Sequence, residues 1–267
     1  LSINPSHALT HHITGLTFER VMRFDEARAA YEHAISLNPN YDDALNRLGS
    51  LYLQADEWSQ AEELFRRAIA ANADNFLGYQ NLGDALAAQE QHQAAIEIYK
   101  QALSRKRRDP DILQKLGDAF RESGDLASAH NYLAYASYRR GDHEDAIEAF
   151  QKFFELSAAG NVTDYLTLHD CYYHCGQMQP AIECLHAIAR LKPDDQFLDI
   201  CPQLILPTLY QTAAEVSLYR EQVIQGYKTV AQRVTTAREK GEKINIAGIQ
   251  YFTNFYLSFQ GQNDRDL

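Results

Sequence analysis

A chain of 267 residues that is 45% apolar can bury a substantial core, and its 7 prolines and 13 glycines suit helices better than long loops. Its formal net charge of −11 repels phosphate backbones and anionic lipid, which argues against nucleic acid and membrane as general partners. No stretch reaches the roughly 20 consecutive apolar residues of a membrane span. Cys171, Cys175, Cys184 and Cys201 read as reduced thiols of a cytoplasmic chain rather than as a disulfide framework.

In chain order, Leu1 to Pro5 matches Leu37-Asn38-Pro39, so it reads as the end of a preceding repeat. The chain is therefore expected to be a piece of a longer protein. Gly15, Gly49, Gly83 and Gly117 then recur at an interval of 34 residues. Ala27, Ala61, Ala95 and Ala129 keep the same interval, as do Ala34, Ala68, Ala102 and Ala136. So do the large residues Phe18, Tyr52, Leu86 and Phe120, and Tyr31, Phe65, Tyr99 and Leu133. Small residues let two helices cross closely, and the large ones fill the space between one helix pair and the next. A unit this short cannot bury its apolar face alone, so neighbours must stack. Three units are set at 8–41, 42–75 and 76–109. Their turns are expected at Arg23-Phe24-Asp25, Asp56-Glu57-Trp58 and Glu90-Gln91-His92, and Pro39 closes the first unit.

These columns resemble the tetratricopeptide (TPR) repeat. The resemblance implies an all-α TPR α-solenoid over 1–195, a right-handed superhelix of helix-turn-helix repeats, with a C-terminal helical extension over 196–267. A phase slip interrupts it. The span 110–157 holds three helical patterns where pairs require an even number, so 110–126 is a partial repeat and 127–161 the next. A change in superhelix geometry is expected near 126–142. The last repeat is 162–195, with His169 in place of the usual Gly.

Beyond it, Pro202 and Pro207 bracket a short apolar piece, and a helix is expected over about 213–238, ended by Gly241. Residues 244–260 are rich in aromatics and call for burial. Leu206-Pro-Thr-Leu-Tyr210, Glu215, Tyr219-Arg220, Thr253-Asn-Phe-Tyr-Leu257 and Gln260-Gly-Gln-Asn-Asp264 resemble the linker of bacterial SPINDLY-family proteins, which are similar to O-linked N-acetylglucosamine transferases. That resemblance implies a substrate-recruiting region ahead of a glycosyltransferase domain, with no catalytic residue in this chain.

Candidate chemistry is sparse. Cys171, His174 and Cys175, with His169 and Cys184, raise a metal site, but the spacing suits core packing better. Arg105-Lys-Arg-Arg108 reads as a solvated helix end. Gly226-Tyr-Lys-Thr229 lacks a phosphate loop. No catalytic motif, metal or cofactor is expected.

The inner face of the solenoid is the better candidate. Residues two and three before each repeated Gly should point into the groove: Asn46 and Arg47, Gln80 and Asn81, Gln114 and Lys115, with His12 and Ile13 starting the rows. Asp84 and Asp118 follow their glycines. Such a ladder of amides with two cations can hydrogen-bond an extended peptide without reading its sequence. O-linked N-acetylglucosamine transferases resemble this in carrying an Asn ladder, and only Asn81 falls on that column. The carboxylate clamp of chaperone-binding TPR domains lacks its Lys (His12) and its Asn (Leu16). The expected partner is therefore a protein or extended peptide, held by a glycosyltransferase-associated region or, alternatively, by a stand-alone scaffold. Self-association is also expected, through apolar surface at Ile13, Leu16 and Phe18.

Overall fold

The computed structural model describes residues 5–157, 160–193, 200–204 and 213–241, and all regular structure among them is helical. The chain divides into two compact units, Leu1–Arg139 and Arg140–Leu267.

The first unit is a run of antiparallel pairs: α1 (Pro5–Arg20) with α2 (Phe24–Leu37), α3 (Asp42–Gln54) with α4 (Trp58–Ala71), and α5 (Phe76–Ala88) with α6 (His92–Arg105). Then follow α7 (Pro110–Glu122) and α8 (Leu126–Arg140). Each second helix packs on the next first helix, α2 on α3, α4 on α5 and α6 on α7. First helices also touch one another, α3 with α5 and α5 with α7, which makes theirs the crowded inner side of an α-solenoid.

The glycine column is a packing requirement. A Cβ on Gly49 would stand 2.6 Å from a ring carbon of Phe65, and one on Gly117 2.8 Å from Leu133. On Gly15 and Gly83 it would run into the rings of Tyr31 and Tyr99. The alanine columns are fully covered, with Ala27, Ala34, Ala61, Ala68, Ala95 and Ala102 all at 0% exposure. Interiors this dense do not absorb an added methyl without strain.

The turns are equally regular. Met22, Asp56, Glu90 and Gly124 hold φ of 58°, 59°, 60° and 88°, one residue in each copy of the repeat. The residue after each donates its N–H back to the preceding helix, as from Arg23 to Phe18 O (2.9 Å) and Gln91 to Leu86 O (2.9 Å). This is the Schellman closure of a helix C-terminus. The first turn is thus centred on Met22, one residue earlier than the expected Arg23-Phe24-Asp25, because Phe24 already starts α2.

The fourth copy keeps the crossing of the first three, with Gly117 of α7 against Leu133 of α8. The three helices read over 110–157 are α7, α8 and α9 (His143–Leu156). In the second unit α9 packs on α10 (Val162–His174), and α10 on α11 (Met178–Leu191). A capping box opens α10: Asn161 Oδ1 accepts from the N–H groups of Thr163 (2.7 Å) and Asp164 (3.1 Å), and Asp164 Oδ2 accepts from Asn161 N–H (2.8 Å). A short 3₁₀ turn at Cys201–Leu204 meets α11 and α12 (Ala213–Lys240). Ile200 is buried against Tyr227, Val230 and Val234 of α12. That helix runs two residues beyond the expected Arg238, to Gly241 at φ 69°. Residues 1–4, Pro207, the aromatic stretch 244–260 and the linker-like pieces 206–210 and 253–264 lie outside the described residues.

Candidate functional site

The nine residues expected in the groove do not share one environment. His12 and Asn46 are corrected by the structure: they are buried, at 8% and 7% exposure, between consecutive helices rather than open on the inner face. Three residues before the glycine, a side chain leans toward the neighbouring first helix. Asn46 Oδ1 accordingly lies 3.6 Å from where a Cβ on Gly78 of α5 would stand. His12 Nδ1 lies 3.1 Å from the Tyr41 hydroxyl, and burial lowers the His12 pKa. Gln80 and Gln114, in the same column, are half-buried.

The next column is open. Arg47 is exposed, and Asn81 and Lys115 are half-buried. Lys115 Nζ is bidentate to Asp84, at 2.7 and 2.6 Å, and so ties α7 to α5. The Tyr99 hydroxyl donates to the same Asp84 carboxylate at 2.7 Å. Arg47 approaches Glu19 of α1 at 3.9 Å, and the Tyr31 hydroxyl donates to that Glu19. Burial, followed by these carboxylates, pushes both phenols well above the usual tyrosine range. Two repeats therefore carry the same device, a core tyrosine and an inter-repeat cation sharing one carboxylate. Repeat two has Phe65 in the aromatic column, with Ser50 and Leu53 where the acids would be, so neither hydroxyl nor acid is left without its partner. Asp118 takes Arg121 at 2.5 Å and lies 3.3 Å from Gln114 Nε2.

The expected ladder of amides with two available cations is therefore revised. Both cations already face a carboxylate of the chain, while Gln80 and Asn81 make no hydrogen bond to another described residue. Glu19 and the tyrosine hydroxyls were missed at the sequence level. The two acids come from different columns, Glu19 four residues after Gly15 and Asp84 one after Gly83, so no single column announces them.

The apolar surface expected at the first repeat is smaller than anticipated. Leu16 and Phe18 pack against the Ala27–Tyr31–Leu45 core, and only Ile13 of the three is exposed, at 52%. The cysteine cluster behaves as core. Cys171, Cys184 and Cys201 are buried, and burial raises the Cys171 and Cys184 thiols to about 12, which keeps them protonated and unreactive. No group of three or more metal-binding side chains occurs among the described residues. Nor is any described helix long and apolar enough to cross a membrane. In the basic run, Arg105 donates to Ala73 O and to the Tyr79 hydroxyl, both at 2.6 Å, and lies 3.7 Å over the Tyr79 ring. Lys106 pairs with Asp109 at 2.7 Å.

Among solved structures, MamA is 21% identical over 67% of this chain and 95% of its own, with a TM-score of 0.41. YrrB, described as a TPR protein with an unusual peptide-binding site, is 18% identical over 74% of this chain and 92% of its own, with a TM-score of 0.41. The pilus biogenesis factor PilW is 17% identical over 73% and 97%, with a TM-score of 0.45. The comparison with curated proteins gives no match. One family model, tetratricopeptide repeat, matches residues 23–83 and 86–139, and a second of the same description matches 127–159. Together they span more than half of the chain, whose helix pairs repeat in the same register: it belongs to the tetratricopeptide-repeat family.

Proposed function

We propose that the chain is a non-catalytic, protein-binding TPR region whose inner face holds an extended peptide segment. The observation that carries this reading is the pair of unengaged amides, Gln80 and Asn81, standing between two internally neutralised ion pairs. An amide offers both a donor and an acceptor to a peptide backbone, and no charge that selects a side chain. The double variant Gln80→Ala/Asn81→Ala should weaken binding of a captured partner by about tenfold, for two lost hydrogen bonds at about 0.7 kcal/mol each. Wild-type affinity in that variant would remove the groove from the reading.

We propose further that the region recruits protein substrates for a SPINDLY-family glycosyltransferase. Support comes from the sequence pieces from Leu206 onward, of which Glu215, Tyr219 and Arg220 lie on α12. The test is the reading frame beyond Leu267. A glycosyltransferase domain there supports the assignment, and a stop codon within a few residues leaves a stand-alone scaffold.

A further inference from the structure

Resting on the groove reading above, we propose that the bound segment is led by bulky aliphatic side chains, which seat on Leu9 and Ile13, and carries no excess of acidic residues. Leu9 and Ile13 are one helical turn apart on α1, at 48% and 52% exposure. They start the two columns that continue as Asp43, Leu77, Asp111 and as Arg47, Asn81, Lys115. The inner face thus begins with an aliphatic patch and continues polar, with Leu77, 46% exposed, as a second apolar point.

This patch is not the remnant of a stacking surface. The positions by which internal first helices meet the preceding pair are apolar: Leu45 and Leu48 in α3, Tyr79 and Leu82 in α5, Leu113 and Leu116 in α7, all buried. The same columns in α1 hold His11 and Thr14. Helix α1 is polar where a repeat would stack and apolar where a ligand would lie, the reverse of what a stacking helix requires.

Charge selects in the same direction. Arg47 and Lys115 are met by Glu19 and Asp84, so an acidic segment would have to displace an existing carboxylate. Asp43 is exposed beside them and repels it. What the face offers is apolar contact at one end and amide hydrogen bonds further along.

The test uses the whole chain and two pools of short, end-blocked synthetic peptides on a Ser/Thr/Gln background. One pool carries Leu, Ile or Val at its leading positions, the other Asp or Glu, and binding is read by fluorescence anisotropy. The aliphatic pool should bind at least about tenfold more tightly, and Ile13→Ser should abolish that advantage, as expected for about two buried methylene equivalents. Raising salt to about 0.5 M should leave the affinity nearly unchanged. Leu9→Gln, also at an exposed site, guards against a folding defect in the first variant. Equal or tighter binding of the acidic pool overturns the proposal. So does an unchanged Ile13→Ser, even if Gln80→Ala/Asn81→Ala still weakens both pools, which would leave the groove standing. Silence of both pools, with no effect of the amide variant, sinks the groove reading as well. A chain that dimerises through Ile13 in sedimentation would make a second copy the occupant and overturn the assignment.

Discussion

The two units build the same helical hairpin with the bulk on opposite sides. In the first three copies of the first unit the crossing residue is Gly and the facing position holds a ring, Tyr31, Phe65 or Tyr99, while the fourth sets Gly117 against Leu133. In the second unit the crossing residue is His169 and the facing position is Leu185, 2% exposed. His169 Nδ1 lies 3.0 Å from Ala181 O, the carbonyl of the alanine column, so the imidazole occupies the crossing and satisfies itself there. In those three copies the volume at the crossing comes from the second helix, and in the second unit the first helix supplies part of it. The sharpest way to break that contrast is to empty the crossing in the second unit. His169→Gly should cost about 2–4 kcal/mol in urea denaturation, and adding Leu185→Tyr should recover a good part of it. In the first unit the opposite change, Gly83→Ala, should cost about 1–3 kcal/mol by forcing the Tyr99 ring aside. Additive behaviour of the His169/Leu185 pair would show that the two positions do not share one space.

A second difference concerns pH. Burial lowers the pKa of His169, with the Ala181 carbonyl opposing it more weakly. The folded value lies below the unfolded one of about 6.5. The neutral form is then favoured by folding, so the stability it contributes is complete above the unfolded value and is lost as pH falls below it. Protection of α10 amides from hydrogen exchange should therefore decline between about pH 7 and pH 5. His169→Gln, which cannot titrate there, should flatten the decline. His12 in the first unit is shifted in the same direction and should leave a weaker dependence around α1. A His169→Gln profile superimposable on wild type would assign the effect to other groups.

How much of this was legible beforehand differs between the units for the same reason. Over the first unit the small and large columns set the period, and the turns expected at Asp56-Glu57-Trp58 and Glu90-Gln91-His92 fall where α3 gives way to α4 and α5 to α6, because the period and the steric demand coincide. The first turn was set one residue late: by the 34-residue period Asp56 and Glu90 correspond to Met22, where the Schellman closure falls. The groove was half legible. Counting from the glycine gives two columns, but it does not separate Asn46, buried against α5, from Arg47, which is open. Nor does it show that Asp84 is committed to Tyr99 and Lys115, since three elements must be in place before those atoms meet. In the second unit the single exchange of Gly for His169 was visible, but its compensation at Leu185 was not, because one copy offers no column to compare.

The Lys115–Asp84 pair gives a smaller effect. Its side chains are 33% and 22% exposed, so solvent screens much of the attraction and Lys115→Met should cost about 0.5–1 kcal/mol. A double-mutant cycle with Tyr99→Phe should show coupling, because both side chains act on one carboxylate. Removing both leaves Asp84 half-covered without a partner, so the double variant should be worse than the sum of the singles. Strict additivity would mean that the shared acid does not link the repeats.

The smallest predicted change is a gain. Met22, Asp56 and Glu90 hold the left-handed conformation that an L side chain adopts only at a cost of roughly 1–2 kcal/mol. At the equivalent position the fourth copy has Gly124, and the second unit uses Gly141 and Gly176, all with positive φ and nothing within 4 Å of an added Cβ. Substituting Glu90→Gly removes the strain without touching the core, because Glu90 is exposed. The entropy that glycine returns to the unfolded chain offsets part of the gain, which leaves about 0.5–1 kcal/mol of added stability. The converse change Gly124→Ala should cost a similar amount, because the new methyl group would bring to that turn the strain that Glu90 carries now. If Glu90→Gly is neutral or destabilising while Gly124→Ala is also tolerated, left-handed strain is not what distinguishes the turns. Their residue choice would then follow from the capping hydrogen bonds, as from Gln91 N–H to Leu86 O at 2.9 Å, which are alike in both.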